Sequence, residues 1–222
     1  MEQRHCGEGT GAVAPQPPGA LPVLVILAAG ASRRMGSCKA LLELHGRTSL
    51  EHLLRAGSCC GESLIVTGHH DAEIRAFLCA TPDLPAHRIA TNANWAAGRT
   101  GSVQLAASVY PGRDLCLAPV DCPLVPAPVF AALLDTWLKA RSPARGWLAP
   151  CHSPQPAAAP RHGHPIILGR ELPAHIESPA QSLRHLRTRA EPLLSLSVEH
   201  REILDNFDTR ADLAPPPQGS SA

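Results

Sequence analysis

The sequence predicts an α/β protein: a Rossmann-like three-layer sandwich around a mostly parallel sheet. Short apolar runs alternate with amphipathic segments over the first 140 residues, the order typical of repeated strand–helix units. The first run, residues 23–29, contains no polar side chain, as expected of a strand buried on both faces. Apolar residues make up 44% of the 222 residues, enough for one core, although only 3% are aromatic.

The later elements follow the same alternation. Ser49 is expected to cap the first helix and Gly57 to end it. Pro128 is tolerated because it falls in the first turn of its helix. A Pro-rich loop at 151–163 separates two strands near the C-terminus. Helices are predicted at 49–57, 72–78, 102–110, 126–141 and 181–188, and strands at 64–68, 88–91, 114–121, 147–150, 164–168 and 193–198.

The two ends of the chain differ in composition from its middle. Residues 1–20 and 215–222 are rich in Pro, Gly, Ala and Ser without apolar periodicity, so we expect them to be disordered, flanking one domain at 21–214. Residues 21–29 resemble the apolar part of a signal peptide, but cleavage there would remove a core strand. No stretch reaches the ~18 apolar residues of a transmembrane helix.

Charge and cysteine usage narrow the class of protein further. The net charge of +1 gives no bulk attraction to nucleic acid or to a membrane surface, so we expect neither as a partner. The eight cysteines are irregularly spaced in a chain long enough to build its own core. This pattern favours reduced thiols and a cytoplasmic protein. The absence of a Cys-x-x-Cys pair disfavours a structural zinc site.

The loop that follows the first strand has the composition of an anion site. Residues 30–39 offer small side chains, free backbone N–H groups and three cations, Arg33, Arg34 and Lys39. Backbone N–H groups can wrap phosphate oxygens, and the cations add charge-assisted hydrogen bonds, so a polyphosphate fits best. Five residues separate Gly30 from Gly36, which excludes a P-loop, and residue 32 is a serine, which excludes the dinucleotide fingerprint. A solvated basic loop is the alternative.

Asp121 is the second candidate for chemistry. It ends an apolar strand, and Pro123 forces the chain to turn directly afterwards. In open α/β sheets this places the carboxylate at the same edge as the loop at 30–39. One Asp together with substrate phosphates is the usual way in which proteins hold Mg²⁺. The alternative is an Asp that only caps the turn. The neighbouring Cys122 is either a soft sulfur contact for a bound ligand or metal, or simply a small buried residue.

Three stretches resemble one known family. Residues 27–39 read Leu-Ala-Ala-Gly-x-Ser-x-Arg-Met-Gly-x-x-Lys, which resembles the nucleotide-binding signature of MobA-like nucleotidyltransferases, and most of all that of the molybdenum cofactor cytidylyltransferases. Residues 120–123 match the family's metal-binding x-Asp-x-Pro. Residues 205–213 are similar to its terminal motif, with Asn206 in place of the first acid and Arg210 in place of a proline.

The resemblance implies a nucleotide-diphospho-sugar transferase type of fold and a role for individual residues. Arg34, Lys39 and Asp121 would be catalytic, and Asp121 with Asp208 would hold Mg²⁺. His164, in a Gly-His-Pro stretch, would contact the acceptor, and Ser102 matches a Gly-x-x-x-Ser at a helix start, where Arg99 lies close by in sequence. The residues implied to bind the nucleotide are Leu27, Ala28, Ala29, Gly30, Ser32, Arg33, Gly36, Thr67, Gly68 and Ser102.

The reaction implied is transfer of NMP from a nucleoside triphosphate to a phosphorylated acceptor, with release of pyrophosphate. The Ala28–Ala29 pair is typical of the members that use CTP rather than GTP, and molybdopterin is the acceptor that the resemblance implies. Two alternatives stay open. One is a nucleotidyltransferase of the same fold acting on a sugar or alditol phosphate. The other, suggested by the altered terminal motif, is a non-catalytic maturation factor serving a molybdoenzyme or its chaperone.

Overall fold

The computed structural model describes residues 20–153 and 159–213. The ends expected to be disordered, 1–20 and 215–222, lie outside the described residues except for residue 20. Within the described part the helices are α1 Ser49–Ala56, α2 Asp71–Ala80, α3 Arg99–Val109, α4 Ala127–Lys139 and α5 Leu183–Arg187. The strands are β1 Val23–Leu27, β2 Glu43–Leu44, β3 Arg47–Thr48, β4 Ser63–Thr67, β5 Arg88–Thr91, β6 Leu115–Pro119, β7 Trp147–His152, β8 Arg161–His162, β9 Ile166–Leu168 and β10 Leu193–Ser197.

The central sheet runs in the order β10-β7-β9-β6-β1-β4-β5, with β8 beside β7. Strand β1 lies between β4 and β6 and is parallel to both, and β5 continues the parallel half. Strand β9 is antiparallel to both of its neighbours, β6 and β7. The carboxyl ends of β1, β4 and β6 therefore meet at one edge, where an α/β sheet normally binds its ligand. The predicted mostly parallel sheet is confirmed.

The sheet lies between two helical layers, as the three-layer prediction requires. In β1, Leu24 and Ile26 point to the layer of α1, α2 and α4. Val23, Val25 and Leu27 point to the layer of α3 and α5. All five side chains are at most 8% exposed, and each such burial contributes about 1.5–3 kcal/mol. This alternation holds β1, and therefore the loop that follows it, rigidly at the centre of the molecule.

The structure corrects two details of the sequence prediction. Thr48, not Ser49, caps α1: the Thr48 hydroxyl accepts from the Glu51 amide at 3.3 Å, and the Glu51 carboxylate accepts from the Thr48 amide at 2.8 Å. Ser49 is buried in the first turn instead. Helix α3 begins at Arg99, three residues before its predicted start. The hairpin of β2 and β3 was not predicted, because strands of two residues carry no periodicity.

None of the helices in the described residues is both long enough and apolar enough to cross a membrane.

Candidate active site

The loop after β1 is a fixed turn. The Ser32 carbonyl accepts from the amides of Met35 (2.9 Å) and Gly36 (3.1 Å), and the Ser32 hydroxyl accepts from the Lys39 amide at 3.2 Å. Ser32 adopts a φ of 50° and Gly36 a φ of 75°, which tighten the turn. The Met35 side chain is only 2% exposed and anchors the loop in the protein. The loop therefore presents its cations from a defined backbone.

Gly30 has no packing reason to be a glycine. Its φ lies outside the left-handed region, and a Cβ built on it would meet no heavy atom within 4 Å. It lines a cavity, so the side chain it lacks would project into that space. The missing Cβ leaves room for a ligand to approach the backbone, which is what a phosphate cradle needs.

Two cavities adjoin at the carboxyl edge of the sheet. We call the first, of about 300 Å³, the loop cavity, and the second, of about 490 Å³, the C-terminal cavity. Arg99, Asp121 and Asp208 line both. The predicted residues that line the loop cavity are Leu27, Ala28, Ala29, Gly30, Ser32, Arg33, Arg34, Lys39, Ser102, Asp121 and Asp208.

Four predicted residues lie elsewhere. His164 lines the C-terminal cavity. Gly36, Thr67 and Gly68 line neither cavity. The buried Thr67 hydroxyl donates to Asp71, and a Cβ on Gly68 would come within 2.6 Å of the Ala29 carbonyl oxygen. Thr67 and Gly68 therefore support the wall of the loop cavity from behind.

Asp121 lies just beyond β6, at the boundary between the two cavities. Its Oδ2 is 3.4 Å from Nη2 of Arg99. Its Oδ1 is buried and has no hydrogen-bond partner among the described residues. Leaving a buried polar oxygen unpaired costs about 1–3 kcal/mol, and more when it is charged. An oxygen ligand held ready in this way fits a hard divalent cation such as Mg²⁺.

Asp208 reaches the same boundary from the C-terminal segment. The Phe207 amide donates to the Asp121 carbonyl at 2.8 Å, which fixes this segment alongside the end of β6. Asp208 pairs with Lys39 (Nζ–Oδ1 2.5 Å) and with Arg34 (Nη2–Oδ2 3.2 Å). The hydrogen bond from Lys39 is the largest cause that lowers the pKa of Asp208, so this carboxyl is ionised at neutral pH.

Asn206 and Cys122 explain part of the unusual terminal sequence. The Cys122 thiol donates to the Asn206 side-chain oxygen at 2.8 Å. Burial, followed by the nearby charge of Asp121, raises the pKa of Cys122, so the thiol keeps its proton and can donate. An amide at position 206 therefore ties the C-terminal segment to the turn at Asp121 without adding a third negative charge there.

His164 is a buried, neutral group in the C-terminal cavity. Burial lowers its pKa to about 4, although the charge of Asp121 acts in the opposite direction. Its Nδ1 is buried with no hydrogen-bond partner in the described part of the chain. Gly163 makes this position possible: a Cβ there would lie 2.1 Å from the carbonyl oxygen of Ile203. A neutral imidazole can hydrogen-bond a polar ligand but adds no charge for a phosphate.

Sequence reasoning missed several lining residues. Trp95 forms part of the loop cavity, and Arg161, Arg184 and Arg187 line the C-terminal cavity. Arg184 and Arg187 lie three residues apart on α5, a spacing that brings them to one face. In sequence alone such a pair looks like an ordinary solvated face. Only the packing of α5 beside β7 and β9 shows that the pair borders a cavity.

The sequence of this chain matches a known protein family, and its fold matches several solved structures. A sequence model of the MobA-like NTP transferase domain matches residues 24–197. Comparison with curated protein sequences gave no match. Rv0371c of Mycobacterium tuberculosis, solved alone and with manganese, is 22% identical over 87% of this chain and 96% of its own, with TM-scores of 0.64 and 0.62.

Two further solved structures share the fold. Molybdopterin-guanine dinucleotide biosynthesis protein A from Archaeoglobus fulgidus is 18% identical over 87% of this chain and 95% of its own, with a TM-score of 0.62. A CMP:2-keto-3-deoxy-manno-octonic acid synthetase complexed with CTP is 15% identical over the same shares, with a TM-score of 0.65. At these identities the likeness establishes the nucleotide-diphospho-sugar transferase type of fold.

Proposed function

The chain belongs to the MobA-like NTP transferase family and is a nucleotidyltransferase; from that premise we propose that it transfers CMP from CTP to a phosphorylated acceptor of the molybdopterin class, with Mg²⁺, releasing pyrophosphate. The observation that carries the proposal is the unpaired, buried Oδ1 of Asp121 at the boundary between the two cavities. A reaction that joins two substrates through a metal-bound phosphate needs a ligand at that position.

The two acidic residues would hold the metal. Asp121 offers a buried oxygen that has no hydrogen-bond partner in the part of the chain the structure describes, and Asp208 faces the same space. When bound, Mg²⁺ supplies Lewis-acid polarisation of the phosphate oxygens. Both carboxylates fit a cation that keeps several of its waters and takes its other ligands from substrate phosphates. Manganese in the mycobacterial structure supports a divalent ion in this fold.

The chain's own contribution is positioning and charge. Lys39 and Arg34, held on the fixed loop, would face the α-phosphate and the leaving pyrophosphate and balance their charge as it develops. Gly30 leaves the backbone accessible to the same phosphates. The acceptor phosphate is already ionised at neutral pH, so no strong general base is required. Transfer then depends on bringing the acceptor in line with the α-phosphorus.

The C-terminal cavity favours an anionic acceptor. Three guanidinium groups, of Arg161, Arg184 and Arg187, line it, together with the neutral His164. Guanidinium groups bind phosphate in bidentate geometry. His164 offers a hydrogen-bonding nitrogen suited to a polar heterocycle such as a pterin. The solved structure of a molybdopterin-guanine dinucleotide biosynthesis protein supports a pterin acceptor for this family.

CTP is proposed as the nucleotide because of the wall of the loop cavity. Ala28 and Ala29 line it where a glycine would leave more room for a purine, and Gly68 presses against Ala29 from behind. Because Gly68 prevents Ala29 from moving back, the cavity cannot widen on this side, and this favours the smaller pyrimidine base. The synthetase of the same fold that was solved with CTP supports this choice of nucleotide.

We also propose that the reaction takes place in the cytoplasm and that the product passes to a molybdoenzyme or its chaperone. No disulfide joins the cysteines in the described part of the chain, which is consistent with a reducing compartment.

A pyrophosphate-release assay tests the function. The purified protein is incubated with Mg²⁺, molybdopterin and each of CTP, GTP, UTP and ATP. We expect release with CTP to exceed release with the other three by at least about 10-fold, since one well-placed pocket wall is worth 1–3 kcal/mol. The same assay with sugar and alditol phosphates separates the other acceptor class. Turnover with those acceptors alone would overturn the molybdopterin proposal, and no turnover with any pair would overturn the catalytic one.

A further inference from the structure

A second group of metal-ligating side chains lies beside the loop cavity. Cys38 comes from the loop after β1, while His70 and Glu73 come from the first turn of α2. One donor atom of each of the three residues lies within 4.8 Å of the other two. His70 Nδ1 is 2.8 Å from Glu73 Oε1, so these two side chains already converge. Two distant segments thus bring a thiol, an imidazole and a carboxylate to one point.

The donor set selects a particular class of ion. Mg²⁺ avoids thiolates and prefers oxygen ligands, whereas Zn²⁺ takes Cys sulfur at about 2.3 Å and His nitrogen or carboxylate oxygen at about 2.0–2.2 Å. Donors of a tetrahedral ion at those lengths stand roughly 3.3–3.7 Å apart. No two donors here are therefore more than about 1.5 Å farther apart than in a formed site. The His70 Nδ1–Glu73 Oε1 pair, at 2.8 Å, would have to open by about 0.5 Å, and the Glu73 side chain, 60% exposed, is free to move that far.

We propose that Cys38, His70 and Glu73 form a binding site for a single zinc-class ion, with the fourth position left to solvent. This site is separate from the oxygen site at Asp121, which a harder ion suits. The two differ in donor type, so the same protein can hold Zn²⁺ at one and Mg²⁺ at the other.

The surroundings of the three residues match those of a metal site. His70 Nε2 is 3.4 Å from the Ala31 carbonyl oxygen, and a metal-ligating histidine commonly uses its second nitrogen in this way. Burial raises the pKa of Cys38, so metal binding would displace a proton from the thiol. Hydrogen bonds from the backbone amides of Leu41 and Ala40 to the sulfur act in the opposite direction, without reversing the shift.

The position of the proposed zinc-class site suggests what a bound ion would do to the neighbouring loop. Cys38 is adjacent to Lys39, lines the loop cavity and is 7% exposed. An ion bound to Cys38 and to α2 would fasten the phosphate-facing loop to a helix of the core. The alternative is an ordinary His–Glu pair at a helix start with a cysteine nearby. That alternative predicts no thiolate–metal bond.

Cobalt titration distinguishes the proposed metal site from an ordinary His–Glu pair. Full-length protein is freed of metal with a chelator, saturated with Mg²⁺ to fill oxygen sites, and titrated with Co²⁺. We expect one equivalent to produce thiolate-to-cobalt absorption in the near ultraviolet and the visible bands of tetrahedral Co²⁺, both reversed by Zn²⁺. No nucleotide or acceptor is present, so the result does not depend on the proposed transferase activity.

Variants assign the ligands. Cys38→Ser should abolish the charge-transfer band, and His70→Gln and Glu73→Gln should each weaken Co²⁺ binding at least about 10-fold. Cys79→Ser, which changes an exposed thiol on the same helix, and Asp121→Asn should keep the wild-type titration. Circular dichroism of the metal-free proteins checks that all are folded. Survival of the band in Cys38→Ser, or no band in the wild type, would overturn the proposal.

Discussion

Strand β6 carries an aspartate at each end, and the two are used in opposite ways. Asp114, just before the strand, is fully buried and satisfied: its carboxylate accepts from Trp137 Nε1 and from the Arg170 amide, both at 2.9 Å. Asp121, just after the strand, keeps one buried oxygen without a partner among the described residues. The same kind of side chain therefore joins layers of the fold at one end and keeps an oxygen open to a ligand at the other.

The difference shows how to separate a structural acid from a functional one. Both residues flank the same apolar run and are equivalent in sequence pattern. What distinguishes them is the number of donors that the fold supplies. A carboxylate given donors by the core contributes to stability, whereas one denied them costs stability until a ligand arrives. Variants at the two ends should therefore affect different measurements.

The largest effect is expected at the ligand-binding end. Asp121→Asn replaces a charged oxygen ligand with a neutral amide of the same shape, so pyrophosphate release should fall about 10³-fold. The free energy of unfolding should change by less than about 1 kcal/mol, because Oδ1 has no hydrogen-bond partner among the described residues and the contact of Oδ2 with the half-exposed Arg99 is long, at 3.4 Å. Steady-state kinetics and urea denaturation measure the two quantities. Asp135→Asn, an exposed acid on α4, is the matched control.

Retention of near-normal turnover in Asp121→Asn would remove the metal assignment. A large loss of stability in that variant would show that the two ends of β6 do not differ as described.

The opposite pattern is expected for Asp114→Ala. The substitution leaves the Trp137 and Arg170 donors unpaired, at about 1–3 kcal/mol each, so the free energy of unfolding should fall by about 2–6 kcal/mol. Turnover per folded molecule should stay within about twofold when assayed well below the melting temperature. Asp135→Ala controls for the loss of a surface acid. If instead activity fell and stability held, Asp114 would belong to the site.

His164 should also make the free energy of unfolding depend on pH. Its pKa in the folded protein is about 4, against 6.5 in the unfolded chain, so the unfolded state binds more protons between these values. Stability is fully present above pH 6.5 and is lost progressively as the pH falls to 4, by about 3 kcal/mol in all. Denaturation at several pH values measures this.

His164→Gln should remove most of that dependence, and the exposed His200→Gln should keep it. An unchanged pH slope in His164→Gln would mean that another group titrates in this range.

The smallest effect is expected from a cation on the loop. Lys39→Ala removes one of the two positive charges near Asp208, so the apparent KM for the nucleoside triphosphate should rise about 10-fold. The exposed Lys139→Ala serves as control. A change in kcat alone, with KM unaltered, would place the Lys39 charge in the transition state only.

The sequence predicted the sheet, and which residues lie at its carboxyl edge, because both depend on local signals. The buried runs of β1, β4 and β6 and the breaks after them at Gly30, Gly68 and Pro123 determine where the loops of the candidate site begin. It did not predict the cap at Thr48, since Thr48 is the last residue of a two-residue strand that has no pattern of its own.

Contacts between distant segments were beyond the same reasoning. The tie between Phe207 and Asp121 joins residues far apart in the chain, and nothing local to either signals it. Cys38 and the His70–Glu73 pair likewise share no spacing typical of a zinc motif. Arg184 and Arg187 have helical spacing, but a cavity beside them depends on how α5 packs. The positions of these residues depend on how distant segments pack together, and the local sequence carries no pattern that predicts them.

The ion pairs of Asp208 have a consequence for selectivity between anions. In the ligand-free protein this carboxylate acts as a tethered counter-ion for Lys39 and Arg34, always present at a high local concentration. A lone inorganic phosphate must displace it and leaves it without a partner. On the proposed function, a nucleoside triphosphate that arrives with a divalent cation would bind the two basic groups and offer Asp208 a positive charge in exchange. The site would thereby discriminate against free anions independently of the base.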